Sequence, residues 1–162
     1  MERIMTFRDG PIDGVIWKPL KFFNDHRGWL CEYFRHDELD PAHHPVMAYM
    51  SQTKPGVARG PHEHIDQTDY FCFIGPSQFK VFLWDARPAS PTYGHRDIKT
   101  VGDGDPFALV IPPGVVHAYK NVGDTDGLVF NGANRLYKGW KRQDPIDEIR
   151  HEDVKDSPYV ME

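Results

Sequence analysis

The sequence predicts an all-β barrel or sandwich, on three observations. Short runs rich in β-branched and aromatic residues recur along the chain, and 14 glycines and 14 prolines separate them at turn-length spacing. No internal repeat, low-complexity tract or composition shift marks a linker. With 162 residues, 40% hydrophobic and 13% aromatic, the chain suffices for one compact domain, 1–162, with a sizeable core.

In order, the strand candidates are 15–23 (VIWKPLKFF), 28–34 (GWLCEYF), 46–52 (VMAYMSQ), 56–62 (GVARGPH), 69–75 (DYFCFIG), 79–84 (FKVFLW), 107–112 (FALVIP), 115–121 (VVHAYKN) and 127–131 (GLVFN). HDELDP at 36–41 predicts a brief peripheral helix stopped by Pro41. Ser90–Gly94 reads as a strand-ending turn, because Pro91 and Gly94 set its dihedrals. The charged stretch 144–158 is a short helix, a loop over the barrel or a solvated tail. Phe22, Trp29, Tyr70, Trp84 and Tyr119 are read as core or dimer interface.

Nineteen Lys and Arg against 24 Asp and Glu give a net charge of −5, which leaves no basic field for nucleic acid or an acidic membrane surface. An anionic ligand must therefore be held by a few local cations. Cys31 and Cys72 sit in aromatic runs and are expected reduced and buried, as in a cytoplasmic protein. No apolar run approaches the roughly 18 residues of a membrane span, and no cleavable leader opens the chain, so a soluble protein is expected.

The chemistry-bearing stretch is RGPHEH at 59–64. In an extended chain residues i and i+2 share a face, so His62 and His64 point the same way. A third histidine, His117, lies in IPPGVVHAYKN. This pattern resembles the cupin superfamily: Pro112, Gly114, His117 and Asn121 meet its second motif, and Gly56, His62 and His64 begin its first. Where the first motif continues with a glutamate, the chain has Gln67, Thr68 and Asp69 ahead of Gly75. The resemblance implies a double-stranded β-helix, the jelly-roll barrel, with short peripheral helices. Imidazoles with a carboxylate suit Zn, Fe, Mn or Ni, so one alternative is a metal-dependent cupin oxidoreductase or dioxygenase using His62, His64 and His117.

Neighbouring residues narrow the resemblance. NDHRGWLCEYF, GVARGPHEH, WDARPASPTYGH and VIPPGVVHAYKN are similar to successive blocks of the dTDP-4-dehydrorhamnose 3,5-epimerase family, over about residues 24–131. That resemblance implies an isomerase, without metal or other cofactor, acting on a nucleotide-linked 4-keto sugar in deoxysugar or surface-polysaccharide biosynthesis. A base removes a proton beside the ketone, at C3, C5 or both, and the carbon is reprotonated from the opposite face. His62 matches the base, a task suited to a group titrating near neutrality. His117 or a nearby cation meets the enolate oxygen. Arg59 and Arg27 match positions holding diphosphate and sugar, as arginine forks do; Glu32 follows the Arg27 block, and His64 replaces a glutamine. Asp156, after Lys155, stands for the aspartate that orients the base. The family also implies a homodimer that exchanges or packs N-terminal strands.

Two further positions depart from the pattern. A gapless count from His117 puts Phe130 where the family has its proton-donating tyrosine, and Thr68 stands for a lysine. Tyr137 supplies the acid if the loop after Asn131 is displaced. Without an acid, the expectation becomes a single epimerisation, an isomerisation or a catalytically silent sugar-binding cupin.

Overall fold

The computed structural model describes residues 6–162. Its strands, in chain order, are β1 (Arg8–Asp9), β2 (Ile16–Pro19), β3 (Phe22–Asp25), β4 (Gly28–Cys31), β5 (Met47–Thr53), β6 (Ala58–Glu63), β7 (Asp69–Phe73), β8 (Gln78–Asp85), β9 (His95–Gly102), β10 (Phe107–Ile111), β11 (Val115–Asn121), β12 (Gly127–Ala133) and β13 (Ile149–Arg150). One sheet runs β1-β9-β8-β11-β6-β13, a second runs β2-β10-β7-β12-β5, and β3-β4 is a separate hairpin. The two large sheets pack face to face as a jelly roll.

Alternation of side chains dictates this packing. On β7, Phe71 and Phe73 point between the sheets while Tyr70 and Cys72 point outward; on β8, Phe79, Val81 and Leu83 point in, and Phe82 and Trp84 out. Both sets are buried. Leu20, Tyr33, Phe34 and Leu39 cover the outer face of the five-stranded sheet, and Phe7, Tyr159 and Met161 cover that of the six-stranded one. Strands covered on two faces lose the polar half of their alternation, which is why β7 and β8 read as continuous apolar runs. Each such side chain contributes about 1.5–3 kcal/mol by burial.

Several expectations change. β9 was absent from the predicted runs because only Ile98 and Val101 are aliphatic in HRDIKTVG and most of the strand is half-buried. The helix expected at 36–41 is instead a turn, in which Arg35 C=O accepts from the Glu38 and Leu39 N–H groups. Asp40 then caps Ala42 N–H at 2.8 Å and starts a 3-10 turn at Pro41–His43; so short a segment does not offset the cost of nucleating an α-helix. The other peripheral helix is likewise a 3-10 turn, Trp140–Arg142. Within 144–158, β13 adds to the barrel beside β6, pairing Arg150 with His62. Cys72 is buried and Cys31 half-buried, and both are free thiols.

The β6–β11 ladder aligns His62 with His117 and then shifts register before Arg59 and Tyr119. Gly60 makes that close approach possible. Its φ is +84°, and a Cβ there would lie 2.5 Å from the His117 carbonyl oxygen.

Candidate active site

A cleft of about 650 Å³ opens between the sheets. β6 contributes Arg59 and His62, β5 Tyr49 and Ser51, and Phe71 and Tyr119 separate the cleft from the core. The loop carrying Tyr137, Lys138 and Arg142 and the segment 145–150 form its rim.

Asp69 organises the polar wall. It is 1% exposed, and its Oδ1 accepts from Gln67 Nε2 (2.8 Å) and Asn131 Nδ2 (2.9 Å). Its Oδ2 lies 3.1 Å from His64 Nε2 and 3.2 Å from His117 Nε2. Burial alone would raise the carboxyl's pKa, but His117 and His64 outweigh it and hold Asp69 well below the ordinary range. His64 also donates from Nδ1 to the Asp147 carbonyl, which can only accept. With a carbonyl on one nitrogen and a carboxylate on the other, His64 is an imidazolium. Burial opposes that charge, yet the Asp69 contact lifts its pKa to about 9.

His62 is the opposite case. Burial first, then His117 and His64, lower its pKa to about 2, so the ring is neutral. Its Nδ1 is buried without a hydrogen-bond partner, and the nearest carboxylate oxygen, Glu148 Oε1, is 4.0 Å away. The His62 and His117 rings stand 4.4 Å apart. The ring is therefore in its proton-accepting form, and Glu148, the carboxylate nearest its buried Nδ1, is the group placed to raise so weak a base towards neutrality.

The segment carrying Glu148 is latched in place. The Asp147 carboxylate accepts the backbone N–H groups of Ile65 (2.6 Å), Asp66 (2.9 Å) and Gln67 (2.9 Å). These contacts outweigh burial and hold Asp147 below the usual carboxylate range.

The structure gathers some predicted residues and separates others. His62, His64 and His117 converge, Arg59 lines the cleft, and Tyr137 stands on its rim at 47% exposure. His117, expected at the enolate oxygen, donates its Nδ1–H to Val115 C=O (3.0 Å), while its Nε2 is buried without a hydrogen-bond partner, 3.2 Å from Asp69 Oδ2. Arg59 binds Thr53 Oγ1 (2.9 Å) and Gln52 O (2.7 Å) and has no acidic partner among the described residues. Arg27 and Glu32 lie away from this cleft, paired with Asp25 (2.5 Å) and Arg35 (3.7 Å). Asp156 is exposed and outside the cleft lining, and Glu148 is the carboxylate beside His62.

Phe130 turns away from the cleft and packs on Tyr33 outside the sheet, with ring centroids 4.8 Å apart. Asn131, the next residue, faces inward. Asn131, Tyr49, Asp147 and Glu148 escaped the sequence reading. Tyr49 alone had a local signal, because Met47, Tyr49 and Ser51 alternate along one strand face.

By residue type the three histidines suit a metal, and each offers a nitrogen within 4.8 Å of the others. Two of them, however, share the Asp69 oxygen as their charge partner, and zinc would need nitrogens at about 2.0–2.1 Å from one centre. The arrangement fits a proton-handling cluster and does not fit a metal centre.

Comparison with known proteins agrees. The family described as dTDP-4-dehydrorhamnose 3,5-epimerase matches residues 9–149. "Spore coat polysaccharide biosynthesis protein SpsL" of Bacillus subtilis is 38% identical over 114 residues, 70% of this chain and 74% of that protein. "Probable low-salt glycan biosynthesis epimerase Agl13" of Haloferax volcanii is 36% identical over 139 residues, 85% of this chain and 86% of that protein. In fold, the chain is similar to a dTDP sugar isomerase from Desulfovibrio desulfuricans G20, with TM-score 0.77, 24% identity, and coverage of 92% of this chain and 89% of that one. A family match spanning the barrel, its cleft and the start of β13 means that the chain belongs to the dTDP-4-dehydrorhamnose 3,5-epimerase family, and is an isomerase of the epimerase class.

Proposed function

We propose that the protein epimerises a nucleotide-linked 4-keto sugar, with His62 removing the proton beside the ketone. The supporting observation is geometric: a neutral His62 ring lines the cleft with its buried Nδ1 towards Glu148, 4.0 Å away, which leaves Nε2 as the nitrogen to take the proton. Charge leaving the carbon collects on the C4 oxygen, where Arg59 and the His64 imidazolium supply positive field. His117 acts behind them as a positioning residue, holding Asp69. Arg59 also suits the substrate diphosphate, joined at the rim by Lys138 and Arg142. The names of the two relatives support a place in polysaccharide or glycan assembly.

The working form in this proposal is a cytoplasmic homodimer. Phe23 (49% exposed), Trp29 (59%) and Leu30 (59%) on the β3–β4 hairpin leave a large apolar surface to cover. Arg27, in the turn of the same hairpin, lies on that surface in a dimer that packs N-terminal strands. The two free cysteines suit a reducing compartment.

The test is proton NMR of dTDP-4-keto-6-deoxyglucose in heavy water, wild type beside His62→Ala. Deuterium entering C3 or C5, and falling by about 10²- to 10⁴-fold in the variant, supports the reading and identifies the carbon. Binding without exchange by folded wild type would favour a silent sugar-binding protein.

A further inference from the structure

We infer that Tyr49 is the proton donor on the face of the sugar opposite His62, and that Asn131 is the residue that aims it. This inference rests on the epimerase reading. Inversion at a carbon needs two proton-transfer groups on opposite sides of the substrate. His62 belongs to β6 in the six-stranded sheet, and the second group must come from the other wall. Among the described residues lining the cleft, Tyr49, on β5 of the five-stranded sheet, is the tyrosine that meets this condition. Tyr119 is on β11, in the same sheet as His62 and opposite Arg59, with its hydroxyl 3.1 Å from Ser51 Oγ, and Tyr137 is on the rim loop.

The direction of the Tyr49 hydroxyl follows from hydrogen-bond accounting. Asn131 Oδ1 accepts the Tyr70 backbone N–H at 3.1 Å, which fixes the orientation of the amide. Its Nδ2 therefore carries the two donors, one to Asp69 Oδ1 (2.9 Å) and one to the Tyr49 hydroxyl oxygen (3.0 Å). Tyr49 accepts that bond, and its own O–H finds no acceptor among the described residues. The proton is left free for the cleft. Burial first, and then the fields of Asp69, Tyr119 and Glu148, push the phenol up to about 12 against the lowering contact from Asn131, so it is protonated at neutral pH.

Tyr49 and Asn131 are also direct cross-strand partners in the β5–β12 ladder. The family tyrosine was expected on the β12 segment. Here the inward β12 residue is an amide and the phenol stands across the ladder from it, so the hydroxyl reaches the same wall from the neighbouring strand.

The step balances. His62 takes the carbon-bound proton, and the C–H electrons move into a C=C bond as the ketone oxygen becomes an enolate. The enolate then re-forms the ketone while its carbon takes the Tyr49 proton from the opposite face, leaving a phenolate. Solvent water reprotonates Tyr49 and accepts the proton held by His62.

The experiment follows dTDP-4-keto-6-deoxyglucose in heavy water with wild type, Tyr49→Phe, Tyr137→Phe and a remote control, Tyr93→Phe. Tyr49→Phe keeps the ring and removes only the hydroxyl. Inverted product is expected to fall by about 10²- to 10⁴-fold in Tyr49→Phe, while His62-dependent deuterium exchange with retained configuration continues. 3-Fluorotyrosine at position 49, isosteric and more acidic, is expected to move the alkaline limb of kcat/KM to lower pH, and a misfolded Tyr49→Phe would leave this readout intact. Inversion at the wild-type rate in Tyr49→Phe, or its loss in Tyr137→Phe alone, overturns the assignment but leaves the epimerase reading standing. An alkaline limb unmoved by the fluorinated residue also overturns it. Wild type that exchanges no proton overturns both.

Discussion

Asp85 (0% exposed) and Asp69 (1% exposed) are the two buried carboxylates of the barrel among the described residues, and their partners come from opposite ranges of the sequence. Asp85 is held within its own turn by Arg87 Nε (2.8 Å), Ser90 Oγ (2.6 Å) and Thr92 Oγ1 (2.6 Å). Asp69 is held across the barrel, one of its donors lying 62 residues away on β12. The first site matches a carboxylate with an arginine that keeps its charge at any working pH, and so makes a rigid corner. The second matches one with imidazoles, whose charge responds to surroundings, and so makes a place for proton chemistry.

Breaking the rigid corner carries the largest expected effect. Asp85→Ala leaves a charged Arg87 and two hydroxyls around an empty position, and is expected to lose about 3 kcal/mol in denaturant unfolding, while turnover per folded molecule is kept. Equal stability would show that the turn's backbone holds the corner unaided. Asp69→Asn is expected to do the reverse, lowering kcat by about 10²-fold through misplaced histidines. Its stability cost is smaller, because His64 can shed its proton where Arg87 cannot.

Glu148→Gln sharpens the comparison at the base. It removes the charge 4.0 Å from His62 and is expected to lower kcat about tenfold with KM little changed. A pure KM effect would place Glu148 with substrate binding instead. The last expected effect is one of slope. His64 is raised to about 9 in the folded protein against 6.5 for a free histidine, so its contribution is fully present below pH 6.5 and is lost as pH rises through 9. His64→Gln should flatten the fall in stability between those values, measured by thermal unfolding across pH. An unchanged slope would assign the alkaline loss to another group.

The same contrast explains what the sequence revealed. The Asp85 turn was legible in Ser90–Gly94, because its partners are neighbours in the chain. His62 and His64 were legible because a strand's period of two needs no tertiary information. The charged, half-buried β9 was not, having little apolar alternation. The count from His117 led to Phe130, which the structure turns to the outer face. Neighbouring residues of a strand take opposite faces, and the inner one here belongs to Asn131, which a count along the sequence does not reveal. Glu148 lay in a charged segment whose role depends on its pairing with β6, which no local pattern encodes.

The Asp147 latch has a consequence for biosynthesis. Residues 145–150 leave the ribosome after β1 to β12 have all been made, yet they supply Glu148, the carbonyl that holds His64 and the clasp on residues 65–67. Barrel and site are therefore separable: β1 to β12 can pair before residues 145–150 dock, and the site is complete only once they have.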